Sequence, residues 1–145
     1  ATGVKAISLR EGDYVVAAEK VSPTAKVLNV TEKGYGKRTD IEEFKLQYRG
    51  GMGVKIHQLT EKTGLLAGVL MMEENEEVML MTSEGVIIRL RGSDISTIGR
   101  VSQGVKLMHL NEGVSVVGIA KITEEDMESE LEAQMEETTE ASVEA

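Results

Sequence analysis

The feature that most constrains this chain is an internal repeat with a period of about fifty residues. Thr31–Thr39 aligns with Thr82–Leu90 at an offset of 51, and Arg49–Lys55 aligns with Arg100–Lys106 at the same offset. Gly3-Val4-Lys5 is a third copy of the end of the second motif. A repeat of this length is typical of supersecondary units that stack on their neighbours, as in propellers and solenoids. Function is therefore expected on the surface of the array rather than in one pocket.

Short runs that are rich in β-branched residues or alternate in polarity predict an all-β body, because Gly or charged turns bound each run. Two hairpins are indicated, with Gly34 and Gly85 at equivalent turns where a positive φ favours glycine. No helix of ordinary length is expected before residue 123. The predicted strands are Tyr14–Ala18, Lys26–Val30, Tyr35–Thr39, Val54–Leu59, Leu66–Met72, Glu77–Met81, Val86–Leu90, Val105–Leu110 and Ser115–Ile122.

A unit of about fifty residues that contains four strands is typical of a blade in a propeller-like fold. The chain then divides into a partial blade, two complete blades and a tail, with an acidic linker at Glu73–Glu77 between the complete blades. The predicted bounds are 1–22, 25–72, 76–122 and 123–145.

The net charge of −9 is distributed unevenly along the chain. Residues 123–145 hold ten acids and no base, whereas residues 1–122 hold 15 acids and 16 bases. A block of one charge sign favours a solvated, disordered tail. The alternative is a short helix, because Met127, Leu131 and Met135 recur every four residues and Thr123 with Asp126 could cap it.

Several kinds of chemistry find little support in the composition. The chain has no Cys, which excludes disulfides, thiolate zinc sites and cysteine nucleophiles together. His57 and His109 do not align in the repeat, since His57 aligns with Met108, so a zinc site is not expected. No apolar run approaches the length of a membrane helix, and no membrane partner is expected.

Bases recur at related places in successive units, which predicts a basic stripe around the outside of the array. Such a stripe could follow a phosphate backbone, because each neutralised phosphate releases counterions. The alternative is an ordinary solvated face. Few aromatic residues are available for base stacking, which favours duplex over single-stranded DNA. The candidate DNA-binding residues are Lys5, Lys33, Lys37, Arg38, Lys45, Arg49, Lys55, Arg89, Arg91, Arg100 and Lys106.

The Gly-rich loop around Arg49 could bring backbone N–H groups close to phosphate oxygens. It is not a Walker P-loop, because no Gly-Lys-Ser/Thr follows it and no helix is predicted after it. The alternative is a structural turn between strands.

Three segments closely resemble blades of the C-terminal domain of DNA gyrase A subunits: Gly3–Val16, Thr31–Thr39 and Tyr48–Val54. The resemblance covers residues 1–122. It implies a β-pinwheel, in which four-stranded blades exchange strands, here as a fragment of about two and a half blades. It also implies that duplex DNA bends around a basic rim.

The family's box reads Gln-Arg-Arg-Gly-Gly-Lys-Gly, and this chain matches it at five of seven places. The two lost places are basic, so the resemblance implies a degenerate box in a later blade. Its residues are Gln47, Tyr48, Arg49, Gly50, Gly51, Met52 and Gly53.

The resemblance further implies a part of an ATP-dependent type II topoisomerase, with ATP and Mg²⁺ used by other regions of the whole enzyme. The implied protein partners, in the bacterial cytoplasm and at the nucleoid, are the gyrase B protein and a second copy of the gyrase A protein. The family's breakage-reunion tyrosine lies in another region, so Tyr14, Tyr35 and Tyr48 are not candidates for it and no catalytic residue is expected here. The alternatives are the corresponding domain of topoisomerase IV and a β-repeat scaffold that binds protein.

Overall fold

The computed structural model describes residues 1–144, in which two antiparallel sheets are followed by one helix. Two short 3₁₀ turns, Ile41–Glu43 and Gly92–Asp94, occupy equivalent places in the repeat. In chain order the elements are β1 (Lys26–Thr31), β2 (Tyr35–Thr39), β3 (Leu66–Met72), β4 (Glu77–Thr82), β5 (Ile87–Arg91), β6 (Val105–Lys106), β7 (Val116–Ile122) and α1 (Glu124–Val143).

The two predicted hairpins are confirmed: β1 and β2 form the centre of the first sheet, and β4 and β5 form the centre and one edge of the second. β1 pairs with β2 through Leu28 opposite Arg38, and β4 pairs with β5 through Met79 opposite Arg89. Gly34 and Gly85 hold the turns at φ of 83° and 79°, a conformation that glycine adopts without strain. β3 then joins the far side of β1, and β7 joins the far side of β4.

The first sheet has four strands only because the last unit contributes one of them. Its order is β3-β1-β2-β6, and β6 pairs through Val105 opposite Gly36 and Lys106 opposite Tyr35. The second sheet, β5-β4-β7, has three strands. Consecutive units are therefore interlocked by an exchanged strand, and neither sheet is built from one unit with four strands of its own.

The main core lies between the two sheets and is aliphatic. Both sheets contribute to it, because alternate side chains of each strand point to the same face. β3 and β7 approach closely where Gly68 meets Ile119, since a Cβ on Gly68 would lie 2.6 Å from Ile119 Cγ1. The buried members of this core are Leu28, Val30, Met72, Val78, Leu80, Ile95 and Val116.

Three predicted strands differ from the structure. Tyr14–Ala18 is not a strand, because no backbone hydrogen bond joins it to another described segment. Val54–Leu59 makes isolated hydrogen bonds to residues 100–103 instead of a ladder. Val105–Leu110 shortens to β6, since the chain turns away from β2 after Leu107 donates to Gly34 O.

The acidic tail forms a helix rather than the disordered segment that its charge favours. Thr123 Oγ1 accepts from the backbone N–H of Asp126, while Asp126 Oδ2 accepts from the backbone N–H of Thr123 at 2.9 Å. This capping box satisfies two N–H groups at the helix start. The helix and its cap agree with the alternative prediction, but α1 extends for 20 residues and is not the short helix of that prediction. Across residues 1–144, none of the helices is long and apolar enough to cross a membrane.

Candidate nucleic-acid interface

The loop Arg49–Gly53, which we call the first box loop, is held against the partial unit that precedes it. Gly50 N donates to Ala6 O at 2.9 Å, and Ser8 N donates to Gly51 O at 2.8 Å. Ser8 Oγ also donates to Gly50 O at 2.6 Å. These bonds bring the backbone of Lys5 beside that of Arg49, although the two residues are 44 positions apart in the chain.

The equivalent loop Arg100–Gly104, the second box loop, makes the same contact one unit later. Gln58 N donates to Ser102 O at 2.8 Å, and the Arg100 guanidinium donates to Lys55 O at 2.5 Å. The recurring Lys of one unit therefore lies beside the recurring Arg of the next unit. We call Lys5 with Arg49, and Lys55 with Arg100, the seam pairs.

The seam pairs keep their positive charge available at the surface. Lys5, Arg49 and Lys55 are exposed, and Arg100 is half-buried. Within the part of the chain that the structure describes, no carboxylate lies within 4.0 Å of their side-chain nitrogens. Unneutralised cations of this kind can exchange their counterions for phosphates.

A third basic group surrounds Tyr35 at the turn of the first hairpin. Lys106 Nζ lies 5.8 Å from the Tyr35 ring centroid, and Lys62 Nζ lies 5.4 Å from the same centroid. Cations at this distance are attracted by the ring quadrupole. Sequence reasoning missed Lys62, because the residue 51 places later is Gly113 and the base therefore does not recur in the repeat.

Lys37 is not a DNA-contacting residue, contrary to the sequence prediction, because its side chain is fully buried. Its ammonium donates to Gly99 O at 2.8 Å, to Arg100 O at 2.6 Å and to Ser102 O at 3.1 Å. Burial lowers the pKa of Lys37 to about 8, with a smaller opposing effect from Glu43. Position 88, its repeat equivalent, is Ile, and this apolar match was a signal of burial.

Arg38 is also buried and cannot reach a phosphate, which corrects a second candidate. Its Nε donates to Ile95 O at 2.8 Å, and its Nη1 lies 3.5 Å from Glu74 Oε1. Residues 95–98 of the last unit cover it, since Arg38 N donates to Ser96 O and Ile98 N donates to Arg38 O, both at 2.9 Å. Arg38 therefore helps to hold the first sheet against the last unit.

Arg89 and Arg91 are exposed, but acids neutralise them. Arg89 is hydrogen-bonded to Glu77, and its Nη1 lies 2.9 Å from Glu130 of α1. These bonds, with Glu77 first, raise the pKa of Arg89. Arg91 Nε lies 3.8 Å from the second carboxylate oxygen of Glu77. The acidic helix thus shields one edge of the candidate basic stripe.

The remaining candidate bases, Lys33 and Lys45, are exposed. Lys33 donates to Glu61 O, and Lys45 follows the first 3₁₀ turn. In the box, Gln47 and Met52 are exposed, and Tyr48 is 97% exposed. The structure thus brings together two pairs from the predicted set and excludes two buried bases.

Comparison with known proteins places this geometry in a family. The family model "DNA gyrase C-terminal domain, beta-propeller" matches residues 1–22, 26–71 and 76–123. The gyrase A protein of Staphylococcus epidermidis is 48% identical over 128 residues, which is 87% of this chain and 14% of that protein. The chain therefore spans about a seventh of the length of this relative.

Two solved structures share the fold. A crystal structure of the C-terminal domain of DNA topoisomerase IV matches with a TM-score of 0.80 and 26% identity, covering 93% of this chain and 42% of that one. A structure of a DNA gyrase A C-terminal domain matches with a TM-score of 0.78 and 26% identity, covering 83% and 41%. These matches confirm the β-pinwheel fold and the resemblance found in the sequence.

Proposed function

Because the chain belongs to the family of DNA gyrase C-terminal, β-propeller domains, we propose that it binds duplex DNA along the seam pairs and bends it. This proposal rests on the position of each seam pair, in which the Lys of one unit lies beside the Arg of the next unit. Lys5 lies beside Arg49, and Lys55 lies beside Arg100. Two equivalent basic points follow one another along the array and offer a path for a phosphate backbone. Lys106 and Lys62 extend that path.

Contact with backbone phosphates suits wrapping better than sequence reading. Bending a site of 20–30 bp by 40–90° costs on the order of 1–6 kcal/mol, which phosphate contacts must offset. The body offers no recognition helix for the major groove, since its described helical elements before residue 123 are two three-residue turns. Weak sequence preference and strong salt dependence are therefore expected.

The test is fluorescence anisotropy of a labelled linear duplex at several salt concentrations. Six phosphate contacts, from the seam pairs, Lys106 and Lys62, predict a slope of about −5.4 for log affinity against log salt. The double variants Lys5→Ala with Arg49→Ala, and Lys55→Ala with Arg100→Ala, should each reduce the slope by about 2.

A matched control removes two exposed bases that lie outside the proposed path, Arg10→Ala with Lys20→Ala. This control should leave the slope near that of the unaltered chain. The proposal is contradicted if the control and the seam-pair variants lose affinity equally, since binding would then depend on net charge alone. Absence of binding at low salt by the unaltered chain and by residues 1–122 would also contradict it.

In the whole protein, we infer that this domain supports negative supercoiling by a type II topoisomerase. ATP hydrolysis, with Mg²⁺, would belong to a gyrase B partner, and a second gyrase A protein would complete the enzyme in the bacterial cytoplasm at the nucleoid. Strand breakage would use residues outside this chain. The same fold in a topoisomerase IV domain supports a second candidate. Full-length enzyme that introduces negative supercoils into relaxed plasmid indicates gyrase, whereas relaxation alone indicates topoisomerase IV.

A further inference from the structure

A buried polar cluster lies under the second box loop, away from the surface that the proposed function uses. The Lys37 ammonium is within 3.1 Å of four oxygens of this loop region: the carbonyls of Gly99, Arg100 and Ser102 and the Ser102 hydroxyl. Within residues 1–144 no carboxylate lies within 4.0 Å of it. The charge is therefore balanced by carbonyl dipoles, which is unusual for a buried lysine.

His57 extends the cluster to the next carbonyl of the loop. Its Nε2 lies 2.9 Å from Gln103 O, and its Nδ1 lies 2.5 Å from Asn29 Oδ1. Because Gln103 O can only accept, Nε2 carries the proton of the neutral ring and Nδ1 accepts. Rotating the Asn29 amide by 180° places its NH₂ group on Nδ1, which also gives the otherwise unpaired Asn29 Nδ2 a partner in the described chain.

The loop is thus held from inside through its backbone oxygens. Because the carbonyls of residues 99, 100, 102 and 103 are anchored below, the side chains of Arg100 and Val101 are left on the outer side, where Arg100 donates to Lys55 O. Arg100 N also donates to Glu43 Oε2 at 2.6 Å. The position of one seam pair therefore depends on residues that never reach the surface.

The described second sheet, which receives no box loop, lacks the equivalent cluster. The residues 51 places after Asn29, Lys37 and His57 are Leu80, Ile88 and Met108. All three replacements belong to the main apolar core or pack against it. The polar set occurs in the unit whose β2 edge receives a box loop, whereas the chain after the last unit continues into α1.

We propose that Lys37 is a positioning residue: its buried ammonium captures the second box loop and fixes Arg100 beside Lys55 for DNA contact. This inference rests on the proposed function for its consequence, but the capture of the loop can be measured without DNA. Asn29 and His57 hold the end of the loop, and Lys37 holds its centre.

The first experiment measures loop mobility directly, and the absence of Cys makes it simple. A single Val101→Cys substitution at an exposed position carries a nitroxide spin label. Adding Lys37→Met should change the spectrum from an ordered to a mobile loop. The control Lys20→Met removes the same charge from an exposed site and should leave the spectrum unchanged. An unchanged spectrum in folded Lys37→Met overturns the proposal.

A second variant distinguishes charge from packing and covers the case in which Lys37→Met does not fold. Lys37→Ala leaves a cavity lined by the same carbonyls, which added propylammonium could enter with its charge. Propylammonium should restore the ordered spectrum, whereas equal concentrations of propanol or sodium chloride should not. Equal rescue by propanol, or no rescue by propylammonium, contradicts the role of the charge.

The consequence for DNA is tested by a double-variant cycle. Lys37→Met and Arg100→Ala should each weaken duplex binding by about tenfold at 0.1 M salt, the effect of one lost phosphate contact. The double variant should be no weaker than Arg100→Ala alone, because both act through one contact. Additive losses contradict the positioning role. If the unaltered chain does not bind DNA, the proposed function fails while the spin-label result still decides whether Lys37 holds the loop.

Discussion

At the scale of single residues, burial separates bases that look alike in the sequence. Arg38 and Arg89 are repeat equivalents, yet Arg38 is buried beneath residues 95–98 and Arg89 is exposed and paired with Glu130. Lys37 is buried, whereas Lys55 is exposed. Whether a base can contact a phosphate depends on what the neighbouring unit places over it.

His57 gives a prediction for the pH dependence of stability. Burial, and then the charge of Lys37, lowers the pKa of His57 below its usual 6.5. The unfolded chain therefore binds a proton at a pH where the folded chain does not. The contribution of His57 to the free energy of unfolding is therefore fully present above about pH 6.5. It is lost as the pH falls from there through the pKa of His57 in the folded chain.

The measurement is urea unfolding between pH 5 and 7.5 for the unaltered chain and for His57→Met, which copies the residue at position 108. Below pH 6.5 the unfolding free energy of the unaltered chain should fall more steeply, by up to about 1.4 kcal/mol per pH unit. Groups that are common to both proteins cancel in the comparison. Equal slopes would show that His57 does not titrate differently on folding.

At the scale of elements, α1 shows how local signals and composition can disagree. The single charge sign of residues 123–145 favours disorder, but the capping box and the acidic first turn favour a helix start. The described helix has no buried residue, and polar contacts join it to the second sheet region: Glu130 with Arg89, and Glu124 with Asn75. Composition missed these contacts because they depend on where the second sheet ends.

We expect α1 to compete with DNA for the basic surface. Removing residues 124–145 takes away ten acids and frees Arg89 from Glu130, so duplex affinity at low salt should rise severalfold. Glu130→Gln should give part of this increase, and the control Glu137→Gln should give less. Anisotropy at low salt measures all three variants. Unchanged affinity on truncation would show that α1 does not compete with DNA for this surface.

At the scale of the whole molecule, the exchanged strand joins the two units into one structure. β6 comes from the last unit but completes the first sheet, and Gly104 beside it crosses close to Gly36. A Cβ on Gly104 would lie 2.7 Å from Gly36 O, and its φ of 72° is already unfavourable for other residues. A substitution in the last unit should therefore disturb the first.

Gly104→Ala should lower the unfolding free energy more than the control Gly85→Ala. Both substitutions force alanine into a positive φ, at a cost of about 1–3 kcal/mol, but a Cβ at Gly85 would meet no atom within 4 Å. Urea unfolding compares the two, and hydrogen exchange of the β2 amides locates the effect. Equal losses, or unchanged exchange in β2, would contradict the coupling of the two units through β6.

The sequence by itself determined the repeat, both hairpins with their glycine turns, the cap of α1 and the family, because these depend on contacts between residues close in the chain or on motifs that recur. It also identified the Lys and Arg that form the seam pairs. Only the tertiary structure decided that Lys5 meets Arg49 and Lys55 meets Arg100, that β6 belongs to the first sheet, and that Lys37 and Arg38 are buried. The physical reason is that a period defines the place of a residue within its unit, whereas exposure and strand pairing depend on how the next unit packs over that place.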